Sequence, residues 1–213
     1  MMQTTTTILH LKLLGVTLII APLMFSVSTF FWENGEYGIT AGTLMALSNV
    51  FWIPALIALF GLLKSRMPYY YAWGLLLAIY GSCVGGGSFS YLGYFATVFH
   101  ISHQSYLTTL MQHPFSSGIL IFWAGPVFPL SLLVLGINLI RKKAVTPWLG
   151  MMLCLGAVAF PLGRIFRIEM IAHVTDLLFT IPFVITGLQF INRPDQILKK
   201  MEIDAPVAAA NLS

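Results

Sequence analysis

Long apolar runs separated by short polar junctions set the pattern of this chain from residue 9 to residue 191. Crossing a hydrocarbon layer about 30 Å thick takes about 20 helical residues. Six runs are long enough to do so: residues 9–31, 39–63, 69–99, 115–140, 146–163 and 167–191. In lipid a backbone must satisfy its own hydrogen bonds, so each run is expected to be a helix. The junctions read "WENGEYG", "KSRMP", "HISHQSYLTTLMQHP", "RKKAVTP" and a tight turn at "PLGR". The expected architecture is all-α, a polytopic bundle of six transmembrane helices over residues 1–192. A polar, mobile tail over residues 193–213 follows it.

Composition supports that pattern. With 58% hydrophobic residues and a mean hydropathy of +0.86, the chain is too apolar for a water-soluble domain. The polar remainder is too short to bury a core of its own. Lys12 precedes the first run, which continues to Phe31 without a small-residue cleavage site, so it is read as a retained helix and not a signal peptide.

The formal charge of +4 does not indicate nucleic acid, because the basic residues are scattered at the ends of runs and gather on no single surface. They act as topology signals. Placing both termini in the cytoplasm puts Lys12, Lys64, Arg66, Arg141, Lys142, Lys143, Arg193, Lys199 and Lys200 there and leaves only Arg164 and Arg167 outside. Trp32 and Tyr37 at one interface, and Tyr69, Tyr70, Tyr71, Trp73 and Trp148 at the other, fit the same arrangement. The implied location is a cell membrane, the cytoplasmic membrane in a bacterium. Cys83 and Cys154 have no C-x-x-C partner and read as buried thiols.

The stretch "RIFRIEMIAHVTDLLF", residues 164–179, departs from the apolar pattern. Arg164 and Arg167 fall at the outer boundary. Glu169, His173 and Asp176 follow at i, i+4 and i+7 and share one helical face, which Thr180 and Gly187 continue. An ionisable residue at the depth of Asp176 costs about 2.5–3.5 kcal/mol on insertion scales, so a partner or a task is expected for it. One reading closes the outer end of the bundle by pairing Asp176 with His173, Arg164 or Arg167. The other makes the stripe the wall of an outward-facing pocket for a cation, a proton or a small polar ligand.

Further candidates surround this stripe. His100, His103 and His113, with His173, offer imidazole ligands for a divalent metal. Apolar Ile101, Tyr106, Leu107, Leu110 and Met111 in the same loop suit an amphipathic helix on the outer surface. In the third run, "GSCVGGGSFSYLGY" is rich in small residues, which allow close helix packing or a locally unwound wall with Tyr91 and its neighbouring serines facing a cavity. Pro126 and Pro129 should kink the fourth helix. Asn49 within the second run needs a hydrogen-bond partner.

Three function classes fit these features. The first is a small transporter, channel or ligand-binding membrane protein, with Asp176, His173, Glu169, Arg164, Arg167, Asn49 and Tyr91 at its polar site. The second is an intramembrane enzyme, metal-dependent through the histidines, with Asp176 or Glu169 as base. The third is a non-catalytic subunit or sensor. The expected partners are the lipid bilayer and a small polar or cationic ligand, with no nucleic acid, and the sequence leaves self-association open.

Overall fold

The computed structural model describes residues 2–33 and 35–202. Six helices are long and apolar enough to cross a membrane. They are α1 (Met2–Thr29), α2 (Ile39–Gly61), α3 (Pro68–Val98), α5 (Pro114–Arg141), α6 (Pro147–Ile165) and α7 (Glu169–Asn192). A hairpin, β1 (Trp32–Glu33) and β2 (Glu36–Tyr37), joins α1 to α2. Two shorter helices, α4 (His103–Met111) and α8 (Pro194–Glu202), complete the described residues. The boundaries lie within about two residues of the apolar runs, except that α1 begins at Met2, several residues before its run. Proline opens α3, α5, α6 and α8, where its missing N–H costs nothing.

Each long helix packs against its neighbours in the order α1, α2, α3, α5, α6, α7, and α7 returns to α1, closing a ring. The closing seam depends on two glycines. A Cβ on Gly187 would lie 2.6 Å from the Gly15 carbonyl oxygen, and one on Gly15 would lie 2.7 Å from that of Gly187. Only glycine lets the two backbones approach this closely. Gly187→Val is therefore expected to push α1 away from α7 and cost about 1–3 kcal/mol. Thermal unfolding in detergent micelles measures this, and an unchanged midpoint would contradict the seam.

Five of the six helices send an aromatic ring into the centre: Phe25 from α1, Trp52 from α2, Phe128 from α5, Phe160 from α6, and Phe179 and Phe183 from α7. Trp52 meets Phe183 edge-on at 5.0 Å and Phe128 at 5.1 Å, a geometry the ring quadrupoles favour. The sixth helix, α3, contributes a glycine-rich segment here. Its backbone widens to a π-helical turn over Tyr80–Gly86. A second such turn, Gly118–Phe122, lies opposite it in α5. They are linked by a hydrogen bond from the Tyr80 hydroxyl to the Ile119 carbonyl.

The two ends of the ring differ. One, the hairpin end, carries β1, β2, α4 and the α6–α7 junction. The other, the basic end, carries Lys64, Arg66 and Arg141–Lys143 and is capped by α8. The polar tail expected to be mobile is thus partly folded. Ile197 is 3% exposed and joins the core, Met201 reaches Gly61, and the Lys200 ammonium donates to the Ala144 carbonyl at 3.3 Å. Ile197, Leu198 and Met201 form one apolar face on an otherwise charged helix, which explains the docking. Residues 203–213 of that tail lie outside the described residues.

Candidate functional site

The charged stretch folds at the hairpin end. Arg164 occupies the last turn of α6, and Asp176 lies two turns into α7. Arg164 Nη2 donates to Asp176 Oδ1 at 2.8 Å. The other carboxylate oxygen, Oδ2, lies 2.5 Å from the Thr29 hydroxyl of α1. That hydroxyl is also 2.6 Å from the Ser26 carbonyl, so its one proton serves both acceptors. The Ser26 and Thr180 hydroxyls, 2.7 Å apart, continue this polar seam between α1 and α7. Asp176 is 1% exposed. Both its oxygens are held by protein, and it faces the seam.

The guanidinium of Arg164 is held on its faces as well as at its edge. Its central carbon lies 5.0 Å from the Phe25 ring, 5.0 Å from the Trp32 ring and 4.9 Å from the Phe160 ring. These are cation–π distances, and such contacts strengthen where water is excluded. Arginine carries five N–H donors in a fixed fork. The Tyr37 hydroxyl approaches the guanidinium, yet Nε and Nη1 are buried without a hydrogen-bond partner. Burial pushes the Tyr37 phenol above its ordinary pKa, and the positive charge of Arg164 pulls against that rise. The phenol therefore remains a protonated donor at neutral pH.

Arg164 also lines a cavity of about 680 Å³. Arg164, Arg167, Trp32 and Tyr37 line it towards the hairpin end. Asn49, Trp52 and the α3 glycines Gly81, Gly85 and Gly86 line its deeper part. The glycines serve two purposes. A Cβ on Gly81 would collide with the backbone of Phe128, and one on Gly85 with that of Ala124, so both allow α3 to approach α5. Gly86 faces the Asn49 amide. At the rim, Arg167 has a left-handed backbone with φ 56° and pairs with Glu36 at 2.5 Å. Gly35, at φ +77°, passes directly over its side chain, where a Cβ would lie 2.9 Å from that of Arg167. Helix α4 covers the rim with Tyr106, Leu107 and Leu110 turned to the cavity.

No protein-family model, curated protein or solved structure matches this chain.

The sequence-derived candidates divide in space. Arg164, Arg167 and Asn49 line the cavity. Asp176 stands behind Arg164. Glu169 is exposed in the first turn of α7, where a carboxylate complements the helix dipole. His173 stacks on Phe30 at 4.2 Å, outside the cavity lining. Tyr91 is 58% exposed on the outer surface of α3. His100 and His113 are exposed, and the side chain of His103 lies outside the described residues. Among the described residues no three His, Cys, Asp or Glu side chains gather to hold a metal ion. Trp32 and Trp52 were missed as site residues. The signal available for Trp52 was an indole N–H in the middle of an apolar run, a donor that normally finds a partner when buried.

Proposed function

We propose that this chain is a multi-pass membrane protein that binds a small, neutral, lipid-soluble molecule in the cavity at the hairpin end. The observation that carries the reading is the half-used guanidinium of Arg164, a residue that lines a 680 Å³ space: one edge is taken by Asp176, and Nε and Nη1 are buried without a hydrogen-bond partner. A buried donor left without a partner costs about 1–3 kcal/mol. An acceptor oxygen on a ligand recovers that cost.

Charge selects the kind of acceptor. Arg164 is balanced by Asp176 and Arg167 by Glu36. A ligand carboxylate would add an uncompensated negative charge in a space walled by Phe25, Trp52, Phe128 and Phe160. The penalty for such a buried charge is several kcal/mol. A carbonyl or ether oxygen makes the same hydrogen bonds without it. Asp176 is already engaged through both oxygens by Arg164 and Thr29, so the neutral-ligand reading draws on the arginine and not on the carboxylate. Of the transporter, channel and ligand-binding readings, binding is best supported. Beyond the cavity floor, the centre of the bundle is filled by buried Leu56, Leu132, Leu135 and Phe183. The bias of basic residues towards the other end supports an orientation with this end outside and both termini in the cytoplasm.

The test compares methyl 4-benzoylbenzoate with 4-benzoylbenzoate, titrated calorimetrically into the purified protein and referenced to empty micelles. The neutral ester is expected to bind at least about tenfold more tightly. Equal or tighter binding of the carboxylate would overturn the reading.

A further inference from the structure

The cavity reaches the outer face of the ring between two neighbouring helices. Leu130 of α5 is 57% exposed, and Val158 and Ile165 of α6 are 58% and 71% exposed, yet all three line the cavity. Leu130 belongs to the outward stripe of α5 that continues through Val134 and Ile137, all of them exposed. Val158 and Ile165 belong to the outward stripe of α6, with exposed Leu155 and Leu162. A residue lines both surfaces only where the two meet, so the cavity opens sideways between α5 and α6.

The sequence explains why the two helices part there. Towards the basic end they are held close: a Cβ on Gly136 would lie 2.7 Å from Cys154 Sγ, and one on Gly150 would lie 3.2 Å from the Gly136 carbonyl oxygen. Towards the hairpin end, Pro129 in α5 and Pro161 in α6 each remove a helical hydrogen bond. There α5 keeps to α3, through Gly85 against Ala124 and the Tyr80 hydroxyl on the Ile119 carbonyl. Phe89 closes the α3 side, since a Cβ on Gly125 would lie 2.9 Å from its ring. Val158 is eleven residues beyond Pro147, about 16 Å along α6 from the basic end, and Ile165 is about 27 Å along it. In a hydrocarbon layer about 30 Å thick, the opening faces the lipid tails of the hairpin half. The hairpin end itself is roofed by α4 and the Arg167–Glu36 pair, with the Tyr106 hydroxyl 3.5 Å from Arg167 Nη2.

We propose that the ligand enters sideways from the bilayer through this opening and is a neutral lipid, whose compact head lies in the cavity while its hydrocarbon chain stays between α5 and α6. The inference rests on the preceding reading for the head and adds the chain and the route. Leu130, Val158 and Ile165 offer a chain only apolar contact, and lipid tails are as apolar as leucine. Leaving the bilayer for the opening therefore costs a chain little and gains it little. Chain length should barely alter affinity, whereas a plug in the opening should act on the chain and spare the head.

Two esters with one head test this. Methyl 4-benzoylbenzoate has no chain, and decyl 4-benzoylbenzoate carries one. Binding is read as saturable benzophenone photolabelling of the purified full chain in nanodiscs, with each probe expressed per lipid. In the wild type the two affinities are expected to agree within about threefold. Leu130→Trp and Val158→Trp, which set an indole in the opening from either side, should each weaken the decyl ester roughly tenfold. Both should leave methyl ester affinity within about twofold, which also shows that the variants are folded. Leu155→Trp, on the outward stripe of α6 but outside the cavity lining, should change neither probe. Exclusion of the decyl ester from the wild type, as a second copy of the chain seated over the opening would cause, overturns the proposal and leaves the head site standing. So does an equal effect of both plugs on the two probes. If the methyl ester itself does not bind the wild type, the preceding reading fails and this inference falls with it.

Discussion

Asp176→Ala is expected to destabilise the protein by about 3–5 kcal/mol, the largest loss from any single substitution at the hairpin end. The cost is more than a missing contact. Arg164 lies between three aromatic rings with its side chain 11% exposed, so removing the carboxylate leaves a cation without compensation in a place water scarcely reaches. The Thr29 hydroxyl loses one of its two acceptors at the same time. Asp176→Asn should fall between the variant and the wild type. Its amide oxygen still accepts from Arg164, and its nitrogen can donate to Thr29 Oγ1, which frees the Thr29 proton for the Ser26 carbonyl. Charge is lost while the hydrogen bonds survive. Equilibrium unfolding in mixed micelles gives the order, and stability of Asp176→Ala equal to that of wild type would show that the pair contributes nothing.

The features that reached across short stretches of sequence were legible, and those that needed distant segments were not. Six helices follow from the lengths of six apolar runs, because lipid leaves the backbone no alternative. Arg164 and Asp176 are 12 residues apart, within one helix junction, so their pairing could be read as one of two outcomes for the charged stretch. Arg167 and Glu36 are 131 residues apart, and no local pattern joins them. The hairpin had a usable cue, since Asn34–Gly35 is the dipeptide that favours a two-residue turn. Helix α8 was misread because only Ile197, Leu198 and Met201 break its polarity. The π-helical turns left no cue, as glycines at Gly81 and Gly85 are equally consistent with an ordinary tight crossing. The cavity itself depends on where α3 stops following its neighbours, a property of three helices together.

Replacing the pair as a whole separates its structural role from its binding role. Arg164→Met with Asp176→Leu removes both charges and fills the space with apolar side chains of similar length. Buried ion pairs exchanged in this way are often neutral for stability, or gain about 1–4 kcal/mol. The double variant is therefore expected to unfold near the wild-type midpoint, far above Asp176→Ala alone. That non-additivity measures the coupling between neighbouring side chains. Ligand affinity should behave differently. The double variant has no donor at position 164, so methyl 4-benzoylbenzoate should bind at least about tenfold more weakly despite the restored fold. Stability would then not account for the arginine, because an apolar pair supplies it equally well. The Nε and Nη1 donors, left without partners in a residue that lines an aromatic-walled space, would account for it. A double variant that is stable and retains wild-type affinity for the ester would leave Arg164 as a closure of the bundle and remove it from the binding site.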